Sequence, residues 1–476
     1  MKTNDLLVLS PEEILLIHKN SLKILEEVGI LVESKKILDI LKENGCDVDY
    51  DKQMVKIPAD IVEKCIKTAP SEIKMFDRDG KYVLTVGDGN RYCVSGHNAV
   101  FVIEDEDGTR RNSTVGDVKD FAIISDYLSD VDIIGVPVMP QDVTPKMTLA
   151  YAVKAIIENS KKPVFFSSES EIVNKAIVEM DKLVMGKSDL SGGCNLISQL
   201  STTSPLYWER GAAEALYFIA KEGIPVDFLP QPITGVTAPY TLAGILTVHN
   251  TEVLSGVVIA QLINPGTPVI YGAGWTTYEM KLMNVLIGRP EASILRVAGA
   301  QMSHFYNIPC HAIGPDTDSN LHDEQNAWEK MLSTIAGLVG ANDLLVNLGM
   351  FGTGMCISLE QLVMDNEICR IVKRFITGIE VTEETIAFDT IKNVGPRGIY
   401  MMEDHTFDYL RSDEHVELSV SNSANFEMWR QKGANSIVAN AKRKAAEILG
   451  MGNKCPLDEE VISGLNAIIK RYESEL

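Results

Sequence analysis

Between residues 126 and 350 the chain alternates short, almost wholly apolar runs with longer stretches of helical periodicity. Residues 132–138, 163–167, 193–198, 225–229, 268–271, 309–312 and 344–347 read as strands. They lie roughly 30 to 45 residues apart, the size of a strand–helix unit. The clearest unit runs from Phe228 to Trp275. A strand breaks at Pro230 and Pro232, a helical pattern spans 241–263 and stops at Asn264-Pro265-Gly266, and a second strand ends in glycines and Trp275. Strands that are apolar on both faces and each followed by a helix specify a parallel sheet covered on its outside. Seven such strands, with an eighth from 96–103 or from the region near Ile399, close an α/β fold of the (β/α)8 TIM-barrel type. A doubly wound open sheet is the alternative.

The flanks carry different patterns. Ser10-Pro11-Glu12-Glu13 is a helix start with a capping serine, a first-turn proline and a capping-box glutamate. That helix is expected to run to Val28 and end at Gly29, and a second, 34–43, to end at Asn44-Gly45. Residues 1–75 thus form an N-terminal helical cap with an extended piece near 54–57. Residues 82–86 and 92–94, separated by Gly87-Asp88-Gly89-Asn90, and a second turn at 104–108 predict a small antiparallel β section over 76–125. The barrel core is assigned to 126–410 and a C-terminal helical extension to 411–476.

At 476 residues the chain is long for one ordinary domain, and a barrel with added elements accommodates it. Its 45% hydrophobic and 23% charged residues are those of a globular protein. A formal net charge of −22 argues against nucleic acid, whose phosphates require Lys and Arg. It suits a cationic substrate, although an acidic surface mostly serves solubility. The opening MKTNDLLVLSPEE shows no signal-peptide pattern, and no uninterrupted apolar run approaches the roughly 20 residues of a membrane span. The expectation is a cytoplasmic protein with no membrane contact. The eight cysteines are scattered without a CxxC pair and read as reduced core thiols.

Chemistry in a barrel sits on the loops after the strand C-termini. That rule selects Gln141, Ser167, Ser168, Gln199, Gln231, Trp275, Asp316, Asp318, Met350 and Phe351. Cys310-His311 is the only adjacent Cys/His pair, and on a strand the two point to opposite faces, so no metal site is expected. Gly352-Thr353-Gly354 and Gly272-Ala273-Gly274 lack the third glycine of a dinucleotide loop. Ser95-Gly96-His97 is not a nucleophile elbow. His249, Asn250 and Glu252, inside the 241–263 helix, read as buried polar groups bracing the barrel.

Four segments carry a resemblance: ITGVTAPYTLAG with LSGVVIAQLINPGTPVIYG (233–244, 254–272), GPDTDSNLHDEQNAWEKMLSTIAGLVGAN (314–342), NLGMFGTGMCISLEQLVMDNEICRIV (347–372) and VTEETIAFDTIKNVGPRGIYMMEDHTFDYLR (381–411). The chain resembles the trimethylamine methyltransferase family of corrinoid-dependent enzymes. The resemblance implies a TIM barrel that passes a methyl group from a methylated amine to cob(I)alamin on a separate corrinoid protein, with no cofactor held permanently. Trimethylamine-specific members carry pyrrolysine in the segment matching 347–352. Here that segment reads Asn-Leu-Gly-Met-Phe-Gly, with Met350 at the matching position. This resembles the non-pyrrolysine branch, whose members act on glycine betaine, proline betaine or carnitine.

A quaternary ammonium leaves as a neutral amine, so such an enzyme needs no side-chain nucleophile, only alignment of the N–CH3 bond and desolvation. Aromatic faces usually hold such cations. The candidates are Trp275, Tyr271, Tyr278 and Phe351, with Met350 filling the pyrrolysine space and Asp316 and Asp318 adding negative potential. His97, Gln231, Arg296 and His405 are candidates for a betaine carboxylate. Ordinary packing, capping and hydrogen bonding are the competing readings at each position. A methyltransferase for another methylated amine and a non-catalytic betaine-binding barrel are the competing functions. A homodimer is the default assembly.

Overall fold

The computed structural model describes residues 6–104, 108–190 and 192–476. Eight parallel strands close a barrel: β1 (Tyr92–Ser95), β2 (Ile133–Gly135), β3 (Val164–Ser167), β4 (Leu196–Leu200), β5 (Val226–Phe228), β6 (Val269–Ala273), β7 (Cys310–Ile313) and β8 (Leu344–Leu348). Each is followed by a covering helix: α1 (Val115–Tyr127), α2 (Thr148–Asn159), α3 (Glu171–Met185), α4 (Arg210–Glu222), α5 (Leu242–Ile263), α6 (Pro290–Tyr306), α7 (Glu324–Val339) and α8 (Leu359–Thr377). Helix α5 is long and apolar enough to cross a membrane by composition. Most of it is buried between the barrel, its neighbouring helices and the N-terminal helix.

The seven expected strands stand, and the eighth corrects the reading of 92–94. Tyr92–Ser95 does not pair with Tyr82–Val86; it lies parallel between β8 and β2. Cys93, Val94 and Ser95 are fully buried, as in a strand covered on both faces. Neither 96–103 nor the region near Ile399 supplies it. The barrel therefore begins inside the stretch assigned to the β section, and its last helix ends at Thr377, short of 410.

Tyr82–Val86 pairs instead with Ile73–Phe76. This hairpin closes the N-terminal end of the barrel. Its Ile73, Met75, Leu84 and Val86 pack with Val94, Ile133, Phe165, Ile197, Ile270, Leu344 and Val346 of the barrel interior. At the opposite end, Phe101–Ile103, Arg110–Asn112, Met350–Phe351 and Cys356–Ile357 form a four-stranded sheet. The turn expected at 104–108 falls mostly on residues outside the described ones, as does the start of the chain at 1–5.

Ser10 and Glu13 complete the expected capping box, and the first helix, Pro11–Lys23, runs on through a π turn, Ile24–Val28, to Gly29. The N-terminal cap contains more β structure than expected. Ile30–Val32, Asp47–Asp49 and Met54–Lys56 form a sheet with Tyr207–Trp208. At the C-terminus, Ile437–Met451 packs on α8 and Glu459–Glu473 on α3.

Candidate functional site

Side chains alternate across a strand, so the residue two beyond each apolar lumen residue also faces inward. Phe165 is followed by Ser167, Ile197 by Gln199 and Ile270 by Gly272. The strand layer above the apolar core is therefore polar: Ser167 (β3), Gln199 (β4), Asp227 (β5) and His311 (β7), with His97 just past β1 and Asn347 at the end of β8.

Two networks line this layer. In the first, Ser167 donates to Gln199 Oε1 at 2.6 Å, and His97 Nε2 lies 3.0 Å from Ser167 Oγ and 3.3 Å from Gln199 Oε1. Gln199 Nε2 donates to Ser201, which donates to the Leu229 carbonyl. With the serine proton committed to Gln199, Nε2 of His97 carries the ring hydrogen. Burial, reinforced by His311, pushes the His97 pKa down to about 4, so the ring is neutral near pH 7.

In the second, His311 Nδ1 and Asp227 Oδ2 are 2.7 Å apart, both side chains fully buried. His311 Nε2 and Asp227 Oδ1 have no protein partner. Phe165 stands between the two networks, its ring centroid 5.5 Å from His97 and 5.7 Å from His311, edge-on to each. The result is a small buried cluster of one aromatic ring, one carboxylate and two imidazoles.

Beside it, Asp316 is held by Arg296 Nη2 at 2.5 Å and by Asn347 Nδ2 at 2.9 Å. Arg296 also donates to Ser293 and the Ile287 carbonyl, and its burial lowers its pKa. Lys330 joins Asp365 at 2.8 Å and the carbonyls of Pro315 and Met350, which pins the 349–350 turn. Both cations are thus tied to carboxylates within the protein, with Arg296 Nε left unpartnered.

The structure brings the sequence-chosen Ser167, Gln199, His97, Asp316 and Arg296 to this end of the barrel and places the chosen aromatic residues elsewhere. Tyr271 faces the helix layer, where its hydroxyl donates to Asn250 at 3.1 Å. Trp275 is buried against Gly299 of α6 and the His249 ring, 4.2 Å away. The expected aromatic cage of Trp275, Tyr271 and Tyr278 is therefore not assembled in the lumen. Tyr278 sits on a hairpin (Thr277–Glu279, Asn284–Leu286) and, with Tyr240 and Arg289, lines a separate cleft of about 520 Å³. Met350 and Phe351 are buried in the sheet over the barrel end, Phe351 with its ring 5.0 Å from His322. Asp318 accepts from the Ile287 and Gly288 amides and from Thr353, a loop brace whose pKa is raised by burial. Gln231 is exposed. His405 stacks on Tyr409 in the C-terminal segment.

His249, Asn250 and Glu252 brace the fold as expected, through Gly272, through Ser21 and Tyr306, and through Ser204 and Leu206. Asp227 and His311 were missed as a pair. The available signal was a lone charge in the apolar run Pro225-Val226-Asp227-Phe228-Leu229. Cys310 does point away from His311, and it meets His304 and Asp343 at the N-terminal end, their ligand atoms within 4.8 Å of one another. Among the described residues, this is the trio whose ligand atoms stand close enough together to hold a metal ion. Burial holds the Cys310 thiol well above its ordinary pKa, so it keeps its proton.

The model of the trimethylamine methyltransferase (MTTB) family matches residues 2–476. A protein named trimethylamine methyltransferase MttB from Desulfitobacterium hafniense is 34% identical over 98% of this chain and 94% of its own. A glycine betaine methyltransferase from the same species is 29% identical over 98% of both chains. Among solved structures, the monomethylamine methyltransferase MtmB of Methanosarcina barkeri aligns over 92% of each chain at 13% identity and a TM-score of 0.48. With an unbroken match from end to end, the chain belongs to the trimethylamine methyltransferase family.

Proposed function

We infer that the protein transfers a methyl group from a quaternary amine, most simply a small betaine, to cob(I)alamin carried by a partner corrinoid protein. The observation that carries this reading is Met350. It occupies the place that the resemblance assigns to pyrrolysine in enzymes for a tertiary amine, and it is buried beside the mouth. The relative named as a glycine betaine methyltransferase supports the same substrate class.

The cluster suits a substrate whose nitrogen is already cationic. Asp227 and Asn347 each leave a buried oxygen without a protein partner. Arg296 and Lys330 are each paired with a carboxylate, Asp316 and Asp365. Phe165 contributes an aromatic ring, and cation–aromatic contacts stabilise by roughly 0.5–2 kcal/mol each. The corrinoid supplies the nucleophile. The protein's residues hold the ammonium, exclude water and aim one N–CH3 bond outward. The amine departs neutral, so no side chain must donate a proton to it.

Transfer from another methylated amine is the second reading, favoured by the 34% identity to the protein named trimethylamine methyltransferase. A tertiary amine would need its nitrogen protonated or otherwise activated, and His311 Nε2 and Asp227 Oδ1 are the unpartnered atoms that could serve it. Purified protein with cob(I)alamin and a panel of glycine betaine, proline betaine, carnitine, choline and trimethylamine separates the two by the spectrum of methylcobalamin. Turnover with a betaine alone supports the first reading, and turnover with trimethylamine alone supports the second. Binding without turnover, with a corrinoid partner supplied, leaves a betaine-binding barrel.

A further inference from the structure

We propose that His304, Cys310 and Asp343 form a binding site for one divalent transition-metal ion of the Zn2+ kind, at the plugged end of the barrel. His304 precedes Cys310 by 6 residues and Asp343 follows it by 33, so the adjacent Cys310-His311 pair gave no sign of it. The fold brings the three together. His304 Nε2 lies 3.9 Å from Cys310 Sγ, and one ligand atom from each residue falls within 4.8 Å of the others.

The backbone sets each position. Cys310 opens β7, and because His311 takes the inward place, Cys310 faces the helix layer. Asp343 immediately precedes β8. Its amide donates to the Cys310 carbonyl at 3.1 Å, and its carboxylate accepts the Cys310 amide at 2.8 Å. Tyr92 of β1 donates to the Asp343 carbonyl at 2.8 Å. Thiol and carboxylate are thus held by the sheet itself. His304 stands in the last turn of α6. Asn307, at φ +55°, turns the chain out of that helix, and Ser303 donates to the Ile308 carbonyl. The short turn 307–309 keeps the imidazole beside the start of β7.

The donor set selects the ion. Thiolate, imidazole and carboxylate together suit Zn2+, whereas Ca2+ and Mg2+ take oxygen ligands. Bonds of roughly 2.0–2.3 Å put tetrahedral ligands roughly 3.3–3.6 Å apart, so the trio closes on an ion by a movement of about 1 Å. The side chain free to make it is His304, which is exposed, while Cys310 and Asp343 are buried. Water reaches the fourth position from the His304 side. The Cys310 amide already orients the carboxylate, the support that metal ligands require. Arg91, which also acts on Asp343 electrostatically, donates to the carbonyls of Gly89 and Leu338. Binding releases the Cys310 thiol proton to solvent, and the two charges of the ion then cancel those of the thiolate and carboxylate. The ion clamps the end of α6 to the starts of β7 and β8. It lies at the end of the strands opposite the polar layer, so it serves the fold and takes no part in methyl transfer.

Full-length protein stripped with a chelator and titrated with Co2+ is expected to develop a near-ultraviolet sulfur-to-cobalt charge-transfer band and the intense visible bands of a tetrahedral site, saturating at one ion per chain. Zn2+ should bleach both and raise the Tm. H304A removes a ligand from an exposed position, so its circular-dichroism spectrum should match wild type. Its affinity for Co2+ should fall by about 100-fold or more, since loss of a mere supporting partner costs about 10–100-fold. C310S should abolish the charge-transfer band, which requires the thiolate, and H304A decides the matter should C310S misfold. A wild-type protein that gives no such band overturns the proposal. So does a band that persists undiminished in H304A or C310S, which would put the ion on other cysteines. These readouts involve neither an amine nor a corrinoid protein.

Discussion

His311 and Asp227 meet across an intervening strand. Their strands, β7 and β5, are separated by β6, and the 2.7 Å contact passes over Gly272. A Cβ at Gly272 would lie 2.8 Å from Asp227 Oδ1 and 2.6 Å from the Phe228 carbonyl. The glycine is therefore a condition for the pair, and Gly272→Ala is expected to displace the carboxylate. Removing one partner leaves a buried polar group unpaired, which costs about 1–3 kcal/mol or more. His311→Ala and Asp227→Ala should each lower the urea midpoint strongly, and the double variant should lose less than their sum. Additive losses would show that the two side chains do not act as a pair.

The buried imidazoles set a direction for the pH dependence of stability. His97 and His322 are pushed down to about 4 and His249 to about 3, chiefly by burial, from an ordinary 6.5. Between those limits the unfolded chain takes up protons that the folded chain refuses. Stability from these groups is complete above pH 6.5 and is lost as pH falls toward 4. Asp181, raised to about 7 by burial, acts in the opposite sense. The informative quantity is thus the difference between wild type and His97→Gln. The Tm of the variant should fall less steeply between pH 6.5 and 4, and parallel curves would show that His97 titrates normally.

We expect Arg296 to act as a structural cation and not as a clamp for a carboxylate. Its guanidinium serves Asp316, Ser293 and the Ile287 carbonyl together. Arg296→Met should cost roughly 3–5 kcal/mol by stranding Asp316. Arg296→Lys should recover only part of that, because an ammonium does not reproduce the fork. In steady-state assays neither variant should raise KM for a carboxylated amine more than KM for choline. A selective rise for the betaine would return Arg296 to substrate binding.

Trp275 gives a similar contrast. Its ring fills the space over Gly299, where a Cβ would come within 2.6 Å of it. Gly299→Ala should therefore destabilise the fold by roughly 1–3 kcal/mol, the range for overpacking. Trp275→Phe should leave substrate affinity within about twofold, whereas loss of one cation–aromatic contact would weaken it by up to about 30-fold. Calorimetric titration with the active amine distinguishes the two.

The barrel was legible because its strands are covered on both sides, and runs such as Val269-Ile270-Tyr271 appear as unbroken apolar text. Tyr92–Ser95 was obscured by Gly87–Asn90, which reads as a hairpin turn joining it to Tyr82–Val86. The phase of each strand was not legible. A shift of one residue exchanges the two faces, and sequence alone gives no reason to send Ile270 and Gly272 inward and Tyr271 outward. That is why two of the chosen aromatic residues belong to the helix layer. Asp227 was visible as an isolated charge, but its partner lies 84 residues away on a non-adjacent strand. No local pattern connects them.

The hairpin Ile73–Phe76 and Tyr82–Val86 plugs one end of the barrel, which leaves the opposite end, under its four-stranded sheet, as the doorway. On the methyl-transfer reading, the amine, its demethylated product and the incoming corrinoid must all use that doorway. A docked corrinoid protein corks it. The amine must then enter first, and its product can leave only after the partner departs. Initial rates should follow a compulsory order, with excess corrinoid protein inhibiting by trapping the empty barrel closed.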